Sequence, residues 1–368
     1  MKTSLKNIAR NLVFCAMFLP AIAYAQQQQK NDRSVFYEYG ESFFCEAHAS
    51  ASASKDSAKI FVYFKISYDA MNFTATLPAE KRPGSFKSAP VVNVECRDEI
   101  GIIRQRAEWK RDIYVEKFDE TNSKTRFAFG AFEMSVPAGK YTVTLDATDQ
   151  SGAILKKTKL PPVDAQSFLK TTAHSDIQFA YPAREAETRL FRPFVLGGNI
   201  PFSSGGFRAI ASISGVEETD TYTYVVSQEK NTEIGNVWGN VADIVGQVRP
   251  HSGDVLKLGV ATTMNEIAIE FTPAGQQSQN APSGNLETSK SAIGSLGILD
   301  VAVPGEALVP GKYQMQLYRP GTRDTITQKF EVIWDNMPLS LRNSRYAAES
   351  MYFILTDKEY EQILKGSD

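Results

Sequence analysis

Three histidines, three cysteines and several carboxylate pairs are the groups through which this 368-residue chain could do chemistry. His48, His174 and His251 stand far apart, and no His-Glu-x-x-His run sets two imidazoles on one helical face for a metal. A serine nucleophile wants a Gly-x-Ser-x-Gly elbow, but Ser212 and Ile293 occupy the first glycine position ahead of Ser214 and Ser295. Gly305 to Lys312 imitates a phosphate loop. It has five residues between its glycines instead of four, and Tyr313 stands where a hydroxyl must hold magnesium. Glu185/Glu187 and Glu217/Glu218 read as solvated loops, because glycosidase chemistry depends on a carboxylate separation that only a fold sets. Asp146, Asp149 and Ser151 could line a calcium loop, yet a plain hairpin turn accounts for them. Nothing assembles a nucleophile, a base and an oxyanion donor. The expectation is a non-enzyme with no catalytic residues, no metal site and no cofactor.

Two cysteines lie beyond the first 25 residues. Phe43, Cys45 and Ala47 alternate with mostly polar neighbours, and Val92, Val94 and Cys96 alternate with Asn93, Glu95 and Arg97. Each thiol therefore sits on the apolar face of a strand. In an oxidising compartment such a pair can bridge two sheets, so Cys45 and Cys96 are a candidate disulfide, with two buried thiols as the alternative.

The elements that would position these groups are strands. The stretch from Val136 to Ala147, VPAGKYTVTLDA, returns as LVPGKYQMQLYR from Leu308 to Arg319. In both copies a Pro and a Gly mark a turn, and a tyrosine opens an alternation of apolar and polar residues. Further strands are expected near 35–46, 58–67, 70–77, 90–97, 102–109, 112–118, 126–135, 140–148 and 153–159, and at Thr219–Val226 and Ile267–Phe271. Many short strands at regular spacing indicate sandwiches. The expected fold is all-β: two tandem Ig-like antiparallel β-sandwich domains, 35–162 and 172–335, followed by a short helical tail, 338–368. Pro161-Pro162 marks the boundary, and the Gln-, Ser- and Gly-rich stretch 272–295 is a long polar loop in the second domain. Trp109 belongs to the core. In the tail, Thr356 to Glu359 reads as a capping box.

The chain opens with Lys2, Lys6 and Arg10, an apolar run from Leu12 to Ile22, and Ala23-Tyr24-Ala25, which together have the form of a secretory signal over 1–25. That run is too short to span a bilayer, and no later stretch is apolar enough. A polar linker, 26–34, follows. The expected address is the periplasm or the extracellular space, with outer-membrane association compatible. The formal charge of −2 becomes more negative once the basic leader is gone, so the chain has no electrostatic reason to seek nucleic acid. At 42% hydrophobic it can fill real cores.

Four stretches carry a family resemblance: SAKIFVYFKISYDAMNFTAT (Ser57 to Thr76), CRDEIGIIRQRAEW (Cys96 to Trp109), the Gly-Lys-Tyr hairpin, and VIWDNMPLSLRN with YFILTDKEYEQIL (Val332 to Leu364). Together they resemble the GWxTD domain-containing proteins, an exported bacterial family. The resemblance implies export and tandem sandwiches and assigns no residue a role. The Gly-Trp-x-Thr-Asp sequence itself does not occur in this chain.

These readings lead to an exported, non-catalytic protein that binds or scaffolds another protein of the cell envelope. The apolar faces of the tail, Tyr346, Met351, Ile354 and Leu355 with Tyr360, Ile363 and Leu364, are the candidate partner contact, since two short helices cannot bury them on each other. The alternative is a carbohydrate-binding module using Tyr222, Tyr224, Phe202 and Phe207 as a row of exposed rings.

Overall fold

Alternation of apolar and polar residues, where it occurs in this sequence, becomes strand. The computed structural model describes residues 42–52, 57–76, 84–168, 173–182, 189–230, 238–261, 266–274, 295–322, 324–334 and 351–365. The expected leader and linker, Tyr346, the pair Glu185/Glu187 and most of the expected loop 272–295 lie outside them. In the first half the strands are β1 (Phe43–Ser50), β2 (Ser57–Ser67), β3 (Thr74–Ala75), β4 (Phe86–Ser88), β5 (Val91–Asp98), β6 (Ile103–Lys110), β7 (Ile113–Val115), β8 (Phe127–Pro137), β9 (Gly139–Thr148), β10 (Ile154–Lys159) and β11 (Val163–Ala165). A single helical turn, α1 (Phe118–Thr121), interrupts them. The second half supplies β12 (Gln178–Pro182), β13 (Leu190–Pro193), β14 (Ile200–Pro201), β15 (Phe207–Ser214), β16 (Tyr222–Gln228) and β17 (Ile244–Val248). It continues with β18 (His251–Ser252), β19 (Asp254–Ala261), β20 (Glu266–Pro273), β21 (Leu296–Val303), β22 (Gly311–Tyr318) and β23 (Thr325–Ile333), then closes on a helix, α2 (Asp357–Lys365).

Four sheets carry the architecture. The first has the order β1-β2-β8, and the second β10-β9-β5-β6 with β11 also on β9. The third is β18-β21-β15-β12-β13-β20-β19, and the fourth β14-β23-β22-β16-β17. A small sheet, β3-β4-β7, stands apart from these. Pairing is antiparallel throughout the described residues except between β14 and β23. The all-β antiparallel class and the short C-terminal helix are as expected.

The stacking departs from two sandwiches merely strung in tandem. One apolar layer lies between the first and second sheets, with Ile60, Val62, Phe64 and Ile66 of β2 facing Val94, Cys96, Val143 and Leu145. Another lies between the third and fourth sheets, around Phe207, Tyr313, Met315 and Phe330. A third layer joins the two pairs. Phe61 and Tyr63 project from the other side of β2 into Phe191, Ile210, Leu256, Ile269, Phe271 and Ile298 of the third sheet. The four sheets thus form one stack within a single compact unit, Ser42–Asp368. β2 is the reason: its sequence, SAKIFVYFKIS, is apolar without alternation, which is the signature of a strand buried on both faces.

The third sheet curls. Gly253, at φ +79°, separates β18 from β19. On one side of it His251 and Ser252 pair with β21, and on the other Asp254 begins a ladder with β20. One continuous run of chain therefore meets both edges of the sheet, whose Ile210, Leu256 and Ile298 belong to the layer shared with β2.

The two copies of the repeated stretch end in the same device. Tyr141 and Tyr313 are buried, at 3% and 1% exposure. Each hydroxyl donates to the backbone carbonyl four residues upstream, Tyr141 to Pro137 at 2.7 Å and Tyr313 to Val309 at 2.9 Å. This is the tyrosine-corner arrangement of sandwich proteins, present once in each half. Trp109 packs edge-on against Phe64, with centroids 5.1 Å apart, on the first apolar layer, as expected of a core residue.

Candidate functional site

The densest collection of chemical groups lies between the first and third sheets. On β1, Phe44, Glu46, His48 and Ser50 alternate with the core-facing Phe43, Cys45 and Ala49, so pleating sends them to the third sheet. Glu46 and His48 are both 7% exposed. His48 Nε2 stands 3.4 Å from Glu46 Oε1, an ion-pair distance without hydrogen-bond alignment. The other carboxylate oxygen accepts the Gly198 N–H at 2.8 Å. Burial alone would raise the Glu46 carboxyl; His48, the Gly198 amide and the Lys65 charge outweigh it and hold the group below its usual range. The Lys65 ammonium lies over the rings of Phe44 and Phe127, at 4.5 and 4.8 Å.

The same layer contains Tyr63, whose hydroxyl donates to Gln178 Oε1 at 3.1 Å, and the Ser50 and Ser212 hydroxyls, 3.2 Å apart. Burial pushes the Tyr63 phenol well above its ordinary value, with Glu46 and Glu133 adding to the effect. At the rim, Lys59 pairs with Glu133 at 2.6 Å, and Glu133 also accepts the Leu258 N–H at 3.4 Å. Tyr63 with Gln178, Ser50 with Ser212, Glu46 with the Gly198 N–H and Glu133 with the Leu258 N–H join the first half to the second, while Glu46–His48, Lys59–Glu133 and the Lys65 contacts lie within the first. Chemically they are a polar seam around an apolar joint.

The loop that meets Glu46 is strained. Val195 and Ser203 adopt positive φ, 52° and 64°, which is costly for a β-branched residue such as Val195. Glycines 197, 198 and 205 take the other left-handed positions of this Gly- and Ser-rich segment. Beyond the Gly198 contact, Asn199 Oδ1 accepts the Glu331 N–H at 2.9 Å, and the Phe202 N–H reaches Ile333 at 2.6 Å. The segment thus connects the first sheet to the last strand of the fourth.

The other two histidines stand elsewhere, each with its own neighbours. His251 is half-exposed, and its Nε2 lies 4.0 Å from Asp300 Oδ2, which also receives Arg208 at 3.3 Å. Burial raises the Asp300 carboxyl, only partly offset by Arg208 and His251. Among the described residues His251 makes no hydrogen bond to a hydroxyl or thiol, so this pair could hold a proton but activates no nucleophile. Among the described residues, His174 Nδ1 meets only the Ser175 carbonyl, at 3.4 Å. Glu217 and Glu218 are exposed, as solvated loop residues should be. Among the described residues no three of His, Cys, Asp and Glu gather as a metal would require.

Asp149 is a turn residue. Its Oδ1 accepts from the Ser151 N–H, the Ser151 hydroxyl and the Ala153 N–H at 2.8, 2.6 and 2.9 Å, and its Oδ2 from Asn72 at 2.5 Å. Ser151 and Asn72, with the two backbone donors, bring its carboxyl down to about 2.

The candidate disulfide is corrected. No bond joins Cys45 and Cys96; both are thiols buried in the layer between the first and second sheets. Alternation tells which face a cysteine occupies and nothing of the distance to another cysteine, on which a bridge depends. Burial pushes the Cys96 thiol up to about 12, with Asp98 contributing, which removes it from thiolate chemistry.

Of the tail residues expected to contact a partner, Met351 is 43% and Ile354 78% exposed, and Leu355 and Tyr360 are half-buried. Ile363 and Leu364 lie on α2, and their side chains are outside the described set. The expected cap forms: the Thr356 N–H and hydroxyl donate to Glu359 Oε2 at 3.0 and 2.6 Å. The Tyr360 N–H then bonds the Thr356 carbonyl at 2.9 Å, opening the helix. The Tyr352 and Tyr360 rings meet at 5.1 Å.

The four aromatic residues considered for a sugar platform belong to the layer between the third and fourth sheets. Phe207 is 1% exposed, Tyr224 lies over Gly246, and Phe202 packs against Trp334 at 5.1 Å. They form no exposed row.

The residues of the polar seam escape a reading of the sequence because Glu46 and His48 occupy the face of β1 that alternation assigns to water. The unbroken apolar run of β2 was the available signal that this face is covered.

No family model matches this chain, and no curated protein matches it. Among solved structures, a "Biofilm associated protein - BSP domain" is similar to it at 9% identity and a TM-score of 0.19. That likeness covers 85% of this chain, which spans 56% of that one.

Proposed function

We propose that this chain is an exported, non-catalytic binding or scaffolding protein of the bacterial cell envelope, related to the GWxTD proteins, with its C-terminal segment as the contact for a partner protein. The observation that carries this reading is that, in the tail, Met351, Tyr352 and Ile354 are 43%, 52% and 78% exposed within a few residues of one another. Clustered exposed apolar side chains next to a capped helix are the ordinary form of a helix-in-groove ligand.

Deletion of 338–368 tests the reading. The truncated protein is expected to keep its strand signal and its unfolding midpoint while losing co-purification with an envelope partner. Loss of the strand signal would show that the tail completes the core, and unchanged co-purification would place the contact elsewhere.

A further inference from the structure

We propose that β17 is a dimerisation edge, adding a second copy of this chain to the fourth sheet as an antiparallel neighbour, with Gly246 of the two copies opposite each other.

The other ends of the second, third and fourth sheets are protected. An edge strand exposes unpaired N–H and C=O groups, and proteins blunt such edges with charge, proline, brevity or closure. In the second sheet, edge strand β6 carries Arg104, Arg106, Glu108 and Lys110, and β10 carries Lys156, Lys157 and Lys159. The third sheet curls until its two edges meet one run of chain around Gly253. The far edge of the fourth sheet is β14, two residues long and ending in Pro201. β17 has none of these defences. Its sequence, Ile-Val-Gly-Gln-Val, is uncharged, Val245 is 62% exposed, and among the described residues no strand lies on its outer side.

The flanks specify the occupant. Asp243 and Arg249 are exposed and stand three residues to either side of Gly246. Alternation puts Asp243, Val245, Gln247 and Arg249 on the wet face, and Ile244, Gly246 and Val248 toward the core, where the Tyr224 ring covers Gly246. An antiparallel second copy centred on Gly246 sets Asp243 against Arg249 twice and Val245 against Gln247 on the wet face. On the core face it sets Ile244 against Val248. Cross-strand partners of opposite charge stabilise a pairing and like charges oppose it, so the strand is complementary to itself in this register. A joint of five residues a side is small, and the dimer is expected to be weak, with Kd on the order of micromolar.

Analytical ultracentrifugation of the purified protein across a concentration series tests this. The unmodified chain should move from monomer to dimer. Asp243→Arg and Arg249→Asp, each replacing two attractive pairs by two repulsive ones, should each raise Kd about tenfold. The double variant D243R/R249D restores opposite charges and should return Kd to within about threefold of the unmodified value. That recovery separates lost pairing from lost folding. A chain that stays monomeric at every concentration, a dimer indifferent to the single variants, or a double variant as weak as the singles would each overturn the proposal.

Discussion

Two tyrosine hydroxyls hold the same position in the two halves of the chain, and each should matter by the same amount. Tyr141→Phe and Tyr313→Phe each remove one buried hydrogen bond to a carbonyl four residues back. Each is expected to lower unfolding free energy by about 1 kcal/mol in urea titrations, and the pair to add, since they sit in different layers. A negligible effect at both positions would mean that the corners are ornamental. Asp149 makes a pH-dependent contribution. Its carboxyl is lowered from the ordinary 3.8 to about 2, so the stability it supplies is fully present above about pH 4 and is lost as pH falls through about 2. The gap in urea midpoint between the unmodified protein and Asp149→Asn should therefore be constant near neutrality and narrow between pH 4 and 2. All three residues lie in stretches whose turn chemistry is visible in the sequence. The state of the two cysteines is not, because a bridge depends on a distance across sheets that no local pattern encodes.

At the scale of elements, β5, β6, β8, β10 and the two tyrosine strands, β9 and β22, follow from alternation, within a residue or two of where they are expected. α2 follows from its cap. What alternation hides is the second burial of β1 and β2. Period two names one buried face, and a neighbouring sheet can cover the other without changing the pattern on β1. β2 is the exception that shows it, being apolar at successive positions from Ile60 to Phe64. Phe61 is fully buried in the layer that joins the two halves. Phe61→Ala should cost about 3–5 kcal/mol, the range for truncating a large aromatic in a packed core. A loss below 1 kcal/mol, measured by urea unfolding, would show that the first and third sheets touch without packing. The stretch Gly197 to Gly206 is legible in the sequence as Gly- and Ser-rich, but the positive φ of Val195 and Ser203 and the contact with Glu46 arise only in the stack.

The whole molecule has a body and a proposed contact. The body is four stacked sheets; the proposed contact is a short tail in which Met351, Tyr352 and Ile354 are exposed. The most direct measurement is site-specific photocrosslinking in intact cells, with the reactive residue placed at Ile354 in the tail and, for comparison, at Ile100 in the turn between β5 and β6. Both positions are 78% exposed, so accessibility alone predicts equal reaction. The account predicts a discrete adduct with an envelope protein from position 354 and none from position 100. Equal adducts from both, or an adduct from position 100 alone, would contradict it.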